Sequence, residues 1–125
     1  MPANQLGQLA EDLAAEYYRR DGFRILHRNF RPPKGKQIGE IDIVARKGND
    51  LVFVEVKART TRGFGDPYEA VDRSKQLKLV RMAKLYRQLY PELIDCDYRI
   101  DVAAVDIDNS HEPVIILSNA IEDSD

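Results

Sequence analysis

The chain predicts an α/β fold, a three-layer sandwich with a central mixed β-sheet flanked by α-helices in the order α-β-β-β-α-β-β. Two stretches carry the 3.6-residue apolar period of amphipathic helices, and the runs between and after them are short and rich in β-branched residues. The middle runs are apolar almost without interruption, and strands of that kind have to be covered on both faces. The 125 residues fit one domain, taken as 1–121, with a short acidic tail at 122–125.

Leu6, Leu9, Ala10, Leu13, Ala14 and Tyr17 repeat at i, i+3, i+4 and i+7, predicting a first helix over 4–20 that Gly22 closes as a C-terminal cap. Phe23, Ile25 and Leu26 open a strand running into Arg28-Asn29-Phe30-Arg31, and Pro32-Pro33-Lys34-Gly35-Lys36 forms a basic loop. A second strand covers about 39–46 and a third 51–59, joined by the hairpin turn Lys47-Gly48-Asn49-Asp50, whose chemistry makes the pair antiparallel. Two glycines and a proline leave 60–67 without a period, so it reads as a loop. Asp72 then offers an N-cap for a helix to about Tyr90, stopped by Pro91, with an apolar arc of Leu79, Val80, Met82, Ala83, Tyr86 and Leu89. Lys75 and Gln76 in its first turn point towards that arc. Residues 99–107 and 114–117 supply the last two strands.

The formal net charge of -2 hides a strong segregation. Residues 1–90 hold 18 Lys and Arg against 11 Asp and Glu, whereas 91–125 hold 1 against 10. A local basic field steers a polyanion to a cleft whatever the overall charge, although lysines and arginines that simply solvate helices would give the same count. No apolar run approaches the roughly 20 residues that span a bilayer, and the first residues lack the pattern of a signal peptide, so a cytoplasmic protein with no membrane partner is expected. Cys96 is the single cysteine, and its neighbours Asp95 and Asp97 would raise rather than lower a thiol pKa, which argues against a catalytic cysteine.

The informative charges lie on the second and third strands, Gly39-Glu40-Ile41-Asp42-Ile43-Val44 and Val52-Phe53-Val54-Glu55-Val56-Lys57. Side chains two apart share a face of a strand, so pairing the hairpin brings Glu40, Asp42, Glu55 and Lys57 together. Burying such charges costs several kcal/mol per ion unless they are paired or bind metal. Asp42 and Glu55 are hard oxygen donors without a competing His or Cys cluster, which points to Mg2+ or Mn2+ and disfavours zinc. Lys57 could orient the attacking water or stabilise charge on a phosphoryl group, and both roles remain open. Glu40 is equally suited to be a third ligand, a partner of Lys57 or a partner of an arginine. Glu55 and Lys57 alone would read as an ordinary exposed pair contributing at most about 1 kcal/mol; the second acidic strand and the apolar neighbours favour a site. By spacing alone Glu11 is a solvated helix residue at the edge of the buried stripe. Asp101 is expected to pair with Arg99 or a turn amide.

Ala10-Glu11, Gly22-Phe23-Arg24-Ile25-Leu26, Arg28-Asn29-Phe30-Arg31, Gly39-Glu40-Ile41-Asp42, Phe53-Val54-Glu55-Val56-Lys57, Lys75-Gln76, Arg99-Ile100-Asp101-Val102 and Asn119-Ala120 carry a resemblance running almost end to end. The chain resembles the YraN-like family of small bacterial predicted endonucleases, within the restriction-endonuclease-like superfamily that includes archaeal Holliday-junction resolvases. The resemblance implies a restriction-endonuclease-like sandwich and places Asp42, Glu55 and Lys57 at the nuclease motif positions. It also implies that Glu11 is a metal ligand or orients water, and that Gln76 is a polar helix residue beside the site. Ala10 departs from the expected glycine, which bears on helix packing.

These readings together predict a metal-dependent endonuclease acting on DNA, with branched or Holliday-junction intermediates of recombination or repair as the expected substrates. Arg31, Lys34, Lys36, Arg59, Arg62 and Lys75 are the expected nucleic-acid contacts. Paired cuts at a junction would call for a two-fold dimer, and recombination or repair proteins are the expected protein partners. The competing classes are a nuclease-like module that binds nucleic acid or protein without cutting, and a purely structural ion-pair network.

Overall fold

The computed structural model describes residues 3–33, 39–59 and 72–121, with Ala3, Asn4 and Arg59 described by backbone alone. Lys34, Lys36, Arg62 and the acidic tail at 122–125 lie outside the described residues. The elements are α1 (Ala3–Arg20), β1 (Arg24–Phe30), β2 (Ile41–Lys47), β3 (Asp50–Arg59), α2 (Arg73–Leu89), β4 (Asp97–Asp106) and β5 (Val114–Ile121). A single 3-10 turn, Pro91–Leu93, follows α2, where the sequence indicated only a stop.

The five strands form one sheet in chain order. β1, β2 and β3 are a meander of antiparallel neighbours, β4 lies parallel to β3 with α2 as the crossover, and β5 returns antiparallel to β4. The sheet is therefore mixed, with α1 packed on one face and α2 on the other, as the near-continuous apolar strands require. Phe53 and Leu51 meet Leu79, Met82 and Tyr86 on the α2 side, while Val52, Val54 and Val105 meet Ala10, Ala14 and Tyr18 on the α1 side. No described helix is long and apolar enough to cross a membrane.

The buried face of α1 differs from the predicted stripe. Ala10, Ala14, Ala15 and Tyr18 are buried, whereas Tyr17 is 43% exposed. At 100° per residue this turns the contact face by roughly 100° from the leucine-weighted one, because the alanines let the helix approach the sheet closely and leave the leucines at the margins. Glu11 moves with it, from the edge of the stripe towards the sheet. Leu89, placed in the α2 arc by periodicity, is also exposed.

β5 runs four residues beyond its predicted end at Leu117. The ladder with β4 shifts register between Ile100 and Val102, opposite Asn119 at φ 51. Asp101 stabilises that irregularity: wholly buried, it accepts from the Asn119 N–H at 2.8 Å, from the Tyr18 hydroxyl at 2.8 Å and from Arg99 Nε at 3.1 Å. The expected Arg99 pairing is present, whereas the amide is that of Asn119 in the irregular part of β5 rather than in a turn.

Candidate active site

The site forms where the β2–β3 ladder ends. Gly48, at φ 58, makes the tight hairpin turn, and the pairing runs from Lys47↔Asp50 to Ile43↔Val54. One further step in this register would set Asp42 opposite Glu55. The Val56 N–H instead donates to Asp42 Oδ2 at 2.7 Å, so a side-chain carboxylate replaces a backbone carbonyl as its acceptor. The alternation of faces slips at the same point: Ile41 and Val44 join the α2-side core, Ile43 and Ala45 the α1-side core.

Asp42 and Glu55 are 8% and 5% exposed and line one cleft of about 440 Å3 with Glu40, Ser74, Lys75 and Lys78. Lys75, in the first turn of α2, places Nζ 3.3 Å from Glu55 Oε1. That turn is held by Asp72, whose side chain accepts from the Lys75 N–H at 2.9 Å. Lys57, two residues beyond Glu55 on the same face of β3, neighbours Lys75 electrostatically but is not among the described residues lining the cleft.

The electrostatics follow from this crowding. Burial, then repulsion from Glu55, push the Asp42 carboxyl up to about 8, with the Val56 N–H only partly offsetting them and Glu11 and Glu40 adding to the rise. Burial and the neighbouring Lys75 lower the pKa of Lys57. Burial also disfavours the charge on Lys75, but the neighbouring Lys57 amine and the Glu55 and Asp42 carboxylates outweigh it and raise its pKa. The same pair of acids raises both lysines, and the two end up shifted in opposite directions because burial and Lys75 outweigh the acids at Lys57 only.

Glu11 approaches from α1. Burial raises its pKa, against the pull of Arg28 and a side-chain hydrogen bond from Asn29. Arg28 Nη2 lies 3.6 Å from Glu11 Oε1 while its Nη1 reaches Asp12 Oδ1 at 2.8 Å. Glu11 Oε1 and Arg28 Nε and Nη2 are buried without a hydrogen-bond partner. Asn29 sits at φ 55, in the left-handed region that non-glycine residues rarely occupy within a strand.

The remaining candidates are less central. Glu40 accepts from Arg31 Nε at 2.9 Å, the arginine pairing among its three alternatives. Gln76 is half-buried, its N–H donating to the Asp72 carbonyl at 2.9 Å, and it is not among the described residues lining the cleft. Arg59 ends β3, its side chain outside the described set. Lys78, Ser74, Arg28 and Asn29 were not singled out from sequence. The i, i+3 spacing of Lys75 and Lys78 held a signal for one of them, but the Arg28 contact with α1 held none.

Asp42 and Glu55 suit a hard divalent cation: both offer oxygen, both are buried, and the raised Asp42 pKa marks negative charge that a cation would stabilise. Among the described residues no group of three Asp, Glu, His or Cys side chains is gathered closely enough to hold an ion. Mg2+ commonly takes only one or two protein carboxylates, completing its shell with water and substrate oxygens, so two donors are sufficient.

Fold and cleft define an α/β protein with a five-stranded mixed sheet and an acidic, lysine-bearing cleft at the end of its central hairpin. Its sequence matches the profile of the "Uncharacterised protein family UPF0102" over residues 10–105, and the chain belongs to that family. This agrees with the YraN-like resemblance read from the motifs. A UPF0102 protein of Caldicellulosiruptor saccharolyticus is 39% identical over 122 residues, covering 96% of this chain and 99% of its own. One from Alkaliphilus metalliredigens is 41% identical over 118 residues, covering 94% and 98%, and one from Dictyoglomus thermophilum 44% identical over 86 residues, covering 69% and 70%.

Proposed function

We propose that this protein is a divalent-metal-dependent endonuclease that hydrolyses phosphodiester bonds in DNA, with branched recombination or repair intermediates as its substrates. The observation that carries this reading is the burial of Asp42 and Glu55 in one cleft beside Lys57 and Lys75. Asp42 and Glu55 would hold Mg2+ or Mn2+, with Glu11 orienting water from α1. When bound, the ion lowers the pKa of water and polarises a phosphoryl oxygen.

The chain's own residues supply the rest. The Val56 N–H orients the Asp42 carboxylate, leaving its other oxygen for coordination. Lys57 orients the attacking water or offsets charge gathering on the phosphoryl oxygens. Lys75 supports Glu55 through their ion pair and adds a second positive charge to the cleft. Burial of both carboxylates limits competing solvent around them.

The test is a titration of the protein with Mg2+ and Mn2+, read by melting temperature, alongside incubation with four-way, flap and single-stranded DNA. The ions should raise the melting temperature and support cleavage of at least one substrate, and Asp42→Asn and Lys57→Ala should abolish cleavage. Absence of both a metal-dependent shift and any cleavage in the parent protein sinks the proposal.

A further inference from the structure

The second helix is more one-sided in charge than anything else described. Its seventeen residues, RSKQLKLVRMAKLYRQL, contain six Lys and Arg and no Asp or Glu. Several basic side chains elsewhere meet acids: Arg19 and Arg20 reach Glu16, Arg28 reaches Glu11 and Asp12, and Arg31 reaches Glu40. Lys78 and Arg81 on α2 are exposed and form no ion pair with any described residue.

Their spacing gives the charge a direction. Lys75, Lys78 and Arg81 recur every third residue, so they form one inclined row on the helix surface, and like charges placed this way oppose helix formation rather than assist it. The row starts inside the cleft, where Lys75 and Lys78 share the lining with Asp42 and Glu55, and continues onto the solvent face at Arg81. Farther along, Arg87 is committed internally, donating to the Ile94 carbonyl at 2.8 Å and lying over the Tyr98 ring. The row available to a ligand therefore begins at the acidic site and leads outwards.

We propose that Lys78 and Arg81 of α2 bind successive backbone phosphates of duplex DNA and lead one strand into the cleft, an assignment that rests on the nuclease reading. At 1.5 Å of rise per residue, Lys75 to Arg81 covers about 9 Å of helix axis. Residues three apart on a helix surface lie about 5–6 Å apart between Cβ atoms, so the long side chains of Lys78 and Arg81 can each reach one of two neighbouring phosphates of a strand. Such contacts set affinity and register without selecting sequence, which suits an enzyme that recognises the form of its substrate.

The experiment compares DNA binding by the metal-free parent protein and by Lys78→Ala/Arg81→Ala, using fluorescence anisotropy of a labelled duplex over a salt series. Alanine at exposed helix positions preserves the helix, and matching melting temperatures verify that both proteins are folded. Each lost phosphate contact removes about 0.9 from the logarithmic salt slope, so the variant should be shallower by about 2. The affinity gap between the proteins should accordingly narrow about tenfold from 50 to 200 mM salt. Arg19→Ala/Arg20→Ala, which removes the same charge from α1, should retain the parent slope.

An unchanged slope in the α2 variant, while the parent protein binds and cleaves DNA, overturns the row and leaves the nuclease reading in place. A changed slope without cleavage under Mg2+ or Mn2+ supports the row and counts against catalysis. A parent protein that binds no duplex overturns the assignment to DNA.

Discussion

Replacing Asp42 with Asn isolates the repulsion built into the cleft. Burial first, and Glu55 second, carry the Asp42 pKa from its ordinary 3.8 to about 8. The folded protein consequently holds that proton more tightly than the unfolded chain, and stability falls as pH rises between the two values. The proton-linked contribution is complete below the unfolded value and has been lost once pH passes the folded one. Each pH unit in this interval is about 1.4 kcal/mol, giving a ceiling of roughly 6 kcal/mol. Lys75, with Nζ 3.3 Å from Glu55 Oε1, reduces the cost of the second negative charge. About 2 kcal/mol is therefore the expected penalty above the folded pKa. Asparagine cannot ionise, but its side-chain oxygen can still accept from the Val56 N–H, so the variant removes the penalty and keeps the local geometry. Thermal melts of the metal-free proteins should show Asp42→Asn about 6–10 °C more stable near pH 9, with the gap narrowing as pH falls and closing only near the unfolded pKa of 3.8. A variant no more stable than the parent protein near pH 9, or a gap independent of pH, would refute the reasoning.

Two further substitutions separate structural from functional carboxylates. Asp101→Ala removes a wholly buried acceptor of bonds from Tyr18, Arg99 and Asn119, and should cost about 3 kcal/mol or more in urea unfolding; a cost below about 1 kcal/mol would contradict its role as a buried hub. Arg28→Ala deprives Glu11 of its cation and should cost about 1 kcal/mol near neutral pH. That loss should shrink on acidification, because a protonated Glu11 needs no counter-ion, and Arg28→Lys should recover part of it; a pH-independent loss would mean that Arg28 acts through packing alone.

The elements most legible in sequence were those specified by neighbouring residues. The Gly48-Asn49 turn between alternating strands predicted the β2–β3 hairpin, Asp72 predicted the start of α2, and Gly22 predicted the end of α1, where it adopts φ 92. Turn chemistry and caps act within a few residues, so the chain states them directly. The phase of α1 was less legible because hydrophobicity weights its leucines, whereas close approach to the sheet selects Ala10, Ala14 and Ala15. The end of β5 was hidden for a related reason: Ser118 and Asn119 look like a strand stop, but the distant Asp101 carboxylate satisfies the irregular backbone and allows pairing to resume at Ile121.

The candidate site divides in the same way. The sequence by itself determined that Asp42, Glu55 and Lys57 stand on adjoining strands with the alternation needed to bring acids and a cation together. Only the tertiary structure decided how those charges are disposed: Lys75 pairs with Glu55, Arg28 draws on Glu11, and Asp42 takes the Val56 N–H where the ladder ends. The physical reason is that side-chain direction follows the local strand period, whereas desolvation and counter-ions come from elements distant in the chain, such as β1 beside α1 and α2 beside β3.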